Sequence, residues 1–240
     1  MVLSIILGII AASADVLGGI ILVRREWEQR YLRYFVALGA GFMLSVAFLE
    51  MVPESFKYSP YWAPILVLAG YCFIHLVEHT ISPHFHFGEE THTHEFVAAH
   101  TGNTVLIGLA AHAFFDGVAI GSGFALSSLL GWLIFIAIFL HKMPEGFTVA
   151  SVMVASGRSR RAAMIAAIVP ALATVAGVVL IGLLPKWVEV GLPVSAGVTI
   201  YVAATDLLPE VNREPGIRMA LVFFVGVLMF LILKLLAPEI

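Results

Sequence analysis

Charge is scarce in this chain of 240 residues: Asp, Glu, Lys and Arg together make up 12% of it, about half the ~25% of an ordinary soluble domain. Cysteine is scarcer still, a single Cys72 set in an apolar run, which excludes a disulfide scaffold. Basic residues are too few for a nucleic-acid binder, since 13 Lys and Arg are outnumbered by 16 Asp and Glu. There is no Gly-x-x-x-x-Gly-Lys-Ser/Thr loop for nucleotide phosphates and no His-Glu-x-x-His of the zinc proteases. What fills the chain is apolar, 60% of its residues, with a mean hydropathy of +1.00. The solvent for most of such a chain is lipid, and little is left for a soluble domain of ordinary size.

Eight apolar runs approach the roughly 20 residues that a spanning helix needs. They cover residues 2–23, 34–52, 61–80, 104–126, 131–155, 162–184, 191–208 and 217–236. The first lacks a basic leader and is longer than a typical signal core, so it reads as a retained helix. The expected fold is an all-α integral membrane protein, one polytopic domain over residues 1–240. Orientation follows from the bases. The connections after runs 1, 5 and 7 hold Arg24, Arg25, Arg30, Arg33, Arg158, Arg160, Arg161, Arg213 and Arg218, whereas Lys57, Lys186 and Lys234 lie toward the other side. Cytoplasmic loops carry the excess, which predicts extracytoplasmic termini and a cytoplasmic connection after run 3. The remaining base, Lys142, falls inside a run.

Two repeats stand out. The fourth run contains His112-Ala113-Phe114-Phe115-Asp116-Gly117 and the fifth His141-Lys142-Met143-Pro144-Glu145-Gly146. Each reads His, three residues, carboxylate, Gly. Residues four apart share a helix face, so each helix offers an imidazole with a carboxylate. His112 lies eight residues into its run and His141 ten into its own; at ~1.5 Å per residue both are roughly 12–15 Å deep, from opposite faces of a core ~30 Å thick. The second repeat is Glu50-Met51-Val52-Pro53-Glu54 at the end of run 2 and Asp206-Leu207-Leu208-Pro209-Glu210 at the end of run 7. This predicts a 3+2+3 arrangement, helices 1–3 and 6–8 being inverted copies around a central 4/5 pair, a pattern of transporters.

A charge at the bilayer centre costs about 2.5–3.5 kcal/mol on insertion scales, and a divalent cation would offset two carboxylates there. Two imidazoles and two carboxylates form a mixed nitrogen and oxygen set suited to zinc, and also to iron, manganese, cobalt or cadmium. Hydrogen bonds between the His and acid side chains would join two helices without any ion, but two matched pairs at equal depth argue for a metal. Pro144 withholds a donor from the Leu140 carbonyl, and Gly117 and Gly146 permit close helix packing.

At these residues the chain resembles the ZIP family of divalent metal transporters. There the fourth helix carries a His-Asn-x-x-Asp/Glu-Gly type motif, and the fifth His or Gln, a polar residue, two residues including Pro, then Glu-Gly or similar. The resemblance covers all eight spans and implies that His112, Asp116, His141 and Glu145 are the primary metal ligands. Many members hold a second, adjacent metal, through an Asn after the first His, an acid at the second position of the fifth-helix motif and a Glu before a Pro in helix 6. This chain has Ala113, Lys142 and Val169 there, which implies one metal. Lysine at that fifth-helix position also resembles some members. The Lys142 ammonium is expected to take the electrostatic role of the second metal, beside Asp116 and Glu145.

Further pathway residues are read from position. Glu50 and Glu54 close the outer end of helix 2 and attract cations to the mouth. Asp206 and Glu210 close the inner end of helix 7, and His75, Glu78 and His79 fall in the last turns of helix 3, as an exit relay. Asp15, alone in helix 1, reads as a hydrogen-bonded interior residue before a pathway residue. The connection 81–102 holds five of the nine histidines and no Lys or Arg, a cytoplasmic His-rich loop that binds metal weakly. The expected function is transport of a divalent metal, zinc before Fe2+, Mn2+ or Cd2+, through the cell membrane into the cytoplasm, with the metal as substrate and no organic cofactor. The direction follows from the resemblance. The chain is expected not to be an enzyme; its partners are the metal ion and the lipid bilayer, with no nucleic acid. The resemblance admits a homodimer without identifying its surface. The competing readings are an intramembrane metal-dependent hydrolase, which would activate a water on the same ligands, and a metal sensor that binds without passage.

Overall fold

The computed structural model describes residues 1–24, 29–80, 101–213 and 217–236. Among them eight helices are long and apolar enough to cross a membrane: Val2–Ile21, Arg33–Tyr58, Trp62–Thr80, Asn103–Leu126, Ser128–Val154, Arg160–Leu183, Pro185–Leu207 and Ile217–Leu236, numbered here spans 1 to 8. No strand occurs among the described residues. The chain is an all-α, multi-pass membrane protein. The histidines expected to line the connection 81–102 lie outside the described residues.

Local chemistry sets the ends of the central spans. Span 4 stops at Leu126 and the next helix starts at Ser128, so a single extended residue, Ser127, makes the turn. Its hydroxyl accepts the Leu130 N–H at 3.1 Å, satisfying one of the free donors of a helix start. Ser159 caps span 6 in the same way through Ala162 at 3.2 Å. It follows Gly157, whose φ of 78° suits a residue without Cβ.

The sequence bounds the second apolar run at residues 34–52, with Glu50 to Glu54 at the end of its helix, and the structure extends it. The helix passes Pro53 and continues to Tyr58, through a π turn at Ala47–Met51. A proline lacks the N–H that an α-helix needs and crowds the carbonyl four residues back; the wider turn takes up the mismatch. Span 7 does the same at Val202–Leu207, ahead of Pro209. Glu50 and Asp206 each sit one residue before the end of their π turn.

Spans 4 and 5 lie inside, with 61% and 67% of their spanning windows buried, and spans 3 and 8 at the rim, with 22% and 17%. The outer faces are apolar, as Leu221, Phe224, Leu228 and Leu235 of span 8 illustrate. The main packing relations survive the exchange of spans 1, 2, 3 and 4 for 6, 7, 8 and 5. Span 1 packs on 5 as 6 packs on 4, span 2 on 8 as 7 on 3, and span 2 on 5 as 7 on 4. Glycines make the closest crossings. Between spans 4 and 6, Gly117 faces the Thr174 carbonyl and Gly177 the Phe114 carbonyl. Between spans 5 and 1, Gly146 faces the Asp15 carbonyl and Gly18 the Met143 carbonyl. A Cβ at any of the four would overlap backbone, so small residues are what let these helices touch.

Candidate metal centre

The tight turn at Ser127 fixes the level of the site. His112 lies fifteen residues before it and His141 fourteen after it. At ~1.5 Å per residue both imidazoles are roughly 21–23 Å from the turn. In an antiparallel pair the next four residues run opposite ways, so Asp116 lies nearer the turn and Glu145 farther from it. Each acid therefore meets the histidine of the other helix. His141 Nε2 is 3.3 Å from Asp116 Oδ2, and His112 Nε2 is 3.4 Å from Glu145 Oε1. Within span 5 the His141 Nε2 to Glu145 Oε2 distance is longer, 4.0 Å. The pairing crosses between helices where the repeat taken alone suggests a pair on each helix.

His112, Asp116, His141 and Glu145 are 0%, 2%, 0% and 0% exposed, and one ligand atom from each lies within 4.8 Å of all the others. Donors ~2.0–2.1 Å from a tetrahedral zinc are ~3.3–3.4 Å apart, so the two cross-helix separations already have that spacing. His141 Nδ1 donates to the Ala137 carbonyl at 3.1 Å. This fixes the ring with Nε2 directed toward Asp116 Oδ2 and Glu145 Oε2.

Lys142 lies inside this cluster, fully buried. Its Nζ is 2.6 Å from Glu145 Oε2, 3.0 Å from Asp116 Oδ2 and 3.7 Å from Asp15 Oδ2. Of the other second-metal positions, Ala113 is buried and carries no ligand, and Val169 is exposed on the outer surface. The expected mouth acids both carry lysines: Glu50 Oε1 pairs with Lys234 at 2.6 Å, and Glu54 Oε2 with Lys57 at 2.6 Å. At the far end of span 3, the rings of His75 and His79 lie with centroids 4.0 Å apart and planes tilted by 36°, and His75 meets Tyr201 of span 7 edge-on at 5.9 Å. Glu78 lies beside Tyr201 and the buried Asp206, so the predicted exit residues of spans 3 and 7 adjoin one another, apart from the four-donor centre. The side chain of Glu210 lies outside the described residues.

Asp15 departs from its expected role. It is fully buried, but neither oxygen accepts a hydrogen bond from a described residue; it faces Lys142 instead. A sequence signal for it exists. Ala14-Asp15-Val16-Leu17-Gly18 repeats as Ala173-Thr174-Val175-Ala176-Gly177, so the acid stands at a matched position of spans 1 and 6.

Comparison with known proteins bears on the family of the chain. The family model described as "ZIP Zinc transporter" matches residues 1–105 and 98–234. The mouse (Mus musculus) protein "Zinc transporter SLC39A7" is 35% identical over 132 residues, 49% of this chain and 27% of the relative. Its human counterpart is 33% identical over 132 residues, 49% of this chain and 28% of the relative. "Zinc transporter ZIP9" of Micropogonias undulatus is 31% identical over 160 residues, 62% of this chain and 51% of the relative. The chain thus spans between about a quarter and about half of the length of these relatives. With the family model matching nearly all of its length, the chain belongs to the ZIP family.

Proposed function

We propose that this protein carries a divalent metal ion, zinc first and Fe2+, Mn2+ or Cd2+ after it, across the membrane through one site near the bilayer midplane. The observation that carries the reading is the burial of two imidazoles and two carboxylates from adjacent spans, with one ligand atom of each within 4.8 Å of the others. His112, Asp116, His141 and Glu145 hold the ion, with the Lys142 ammonium in place of a second one. The names of the zinc transporters it resembles support zinc as the substrate. Passage runs from outside to the cytoplasm, with both termini outside and the cell membrane as the site of action. One half of the fold moves against the other to expose the centre to each side in turn. The His-rich loop 81–102 takes up or senses the delivered ion.

Vesicles containing the purified chain and an internal metal-sensitive dye test this reading. Zinc added outside should raise the signal in protein-bearing vesicles only. A hydrolase would release product without the signal, and a sensor would give neither; either result contradicts transport. The absence of the second-site ligands predicts a zinc content near one per chain for protein lacking the 81–102 loop, by elemental analysis. A content near two would contradict the one-ion centre.

A further inference from the structure

Asp15 and Lys142 are charges of the centre that the four donors do not require. Both belong to the crossing of spans 1 and 5 and not to its equivalent, spans 6 and 4. There, Ala113 follows the histidine where Lys142 does here, and Thr174 presents its carbonyl to the motif glycine where Asp15 does here. Thr174 satisfies itself, its Oγ1 donating to the Pro170 carbonyl at 3.1 Å. The crossing therefore packs without an acid, and the position after the histidine without a base. The two charges occur together and are absent together.

Their geometry gives the pair a task. Lys142 Nζ holds Glu145 Oε2 and Asp116 Oδ2 at 2.6 and 3.0 Å. The same two oxygens face His141 Nε2, at 4.0 and 3.3 Å. A dication bound through them meets the ammonium as a like charge at contact range, where Coulomb repulsion is strong in a buried site. Asp15 Oδ2 waits 3.7 Å from Nζ, and both Asp15 oxygens are buried with no hydrogen-bond partner among the described residues. A movement of Nζ by about 1 Å forms a charge-assisted bond of ~2.8 Å there.

We propose that Asp15 is the docking carboxylate of the Lys142 ammonium. An ion entering the four donors displaces Lys142 from Asp116 and Glu145; Lys142 moves to Asp15, and it returns when the ion leaves. Asp15 is a positioning residue that acts through Lys142 and does not touch the ion. The returning ammonium competes for the oxygens that the ion uses, so the chain carries its own antagonist of tight binding. The Gly146 and Gly18 crossings fix Asp15 in register with span 5. This inference rests on the four-donor centre proposed above.

The test is zinc affinity of the full-length chain in detergent, by competition with a chromophoric chelator. Asp15→Asn should weaken zinc by about tenfold or more, since Lys142 then stays on the ligand oxygens. The double variant Asp15→Thr with Lys142→Ala, which copies Thr174 and Ala113 into this crossing, should return to within about threefold of the unmodified chain, because both members of the buried charge pair leave together. An unchanged affinity in Asp15→Asn, or a double variant no tighter than that single one, overturns the proposal. Should Asp15→Asn fail to fold, the double variant decides alone: recovery to within about threefold supports the exchange and a tenfold loss refutes it. His141→Ala separates the two levels. If it leaves zinc binding intact, the four-donor centre is wrong; if it abolishes binding while Asp15→Asn changes nothing, only the role of Asp15 is wrong.

Discussion

Replacing His141 with alanine is expected to abolish zinc uptake into vesicles and to lower zinc affinity by a hundredfold or more, since even supporting residues of a metal site are worth about 10–100-fold. Two losses combine. The site loses a nitrogen donor, and Asp116 Oδ2 loses the imidazole 3.3 Å away. Folding suffers less. The Nδ1 bond to the Ala137 carbonyl contributes about 1 kcal/mol net, with a further cost for the cavity left in span 5. The variant should therefore still elute as a folded protein and melt somewhat earlier. His75→Ala is the comparison, because His75 is exposed at the end of span 3 and touches none of the four donors. It should leave equilibrium zinc affinity within about threefold, as surface substitutions do. Equal losses in the two variants would mean that histidine count, and not the buried constellation, governs zinc binding.

The second large effect is on stability. Gly146→Ala is expected to destabilise the protein by about 3 kcal/mol or to prevent folding, as overpacking does when the obstacle cannot yield. The obstacle is the backbone carbonyl of Asp15, so a methyl group forces spans 1 and 5 apart. That separation also moves Asp15 from Lys142 and should reduce zinc affinity in any folded fraction. Gly117→Ala should act alike through the Thr174 carbonyl. Gly39→Ala should do the opposite. Its new Cβ would meet the nearest atoms of His141 and Leu140 at 3.7 Å, an ordinary contact, while alanine favours the helix by about 0.5–1 kcal/mol. Thermal melting in one detergent decides. A Gly146→Ala protein that melts with Gly39→Ala would contradict the account of how spans 1 and 5 meet.

These residues also mark how much was legible before the fold. The span number follows from hydropathy alone, because lipid leaves a chain few options. The level of His112 and His141 was readable by counting, since a helix has a constant rise and the two histidines lie eight and ten residues into their runs. The crossed partnership of each histidine with the other helix's acid was not read from the repeat alone, because it depends on the antiparallel packing of spans 4 and 5. The π turn that carries helix 2 past Pro53 was not legible either, because it is a tertiary accommodation. Glu50 and Glu54 read as open mouth acids because Lys234, the partner of Glu50, lies 184 residues on in sequence. Asp15 was half legible. Its charge in an apolar helix drew notice, but its contact with Lys142 arises where Gly18 and Gly146 bring two distant helices together.

The most direct test of the central claim is anomalous scattering at the zinc edge from crystals of the zinc-loaded protein. The account predicts one strong peak at ~2.0–2.2 Å from a donor atom each of His112, Asp116, His141 and Glu145, with Lys142 Nζ outside the coordination sphere. Zinc bound elsewhere, with Lys142 still seated between Asp116 and Glu145, would contradict it.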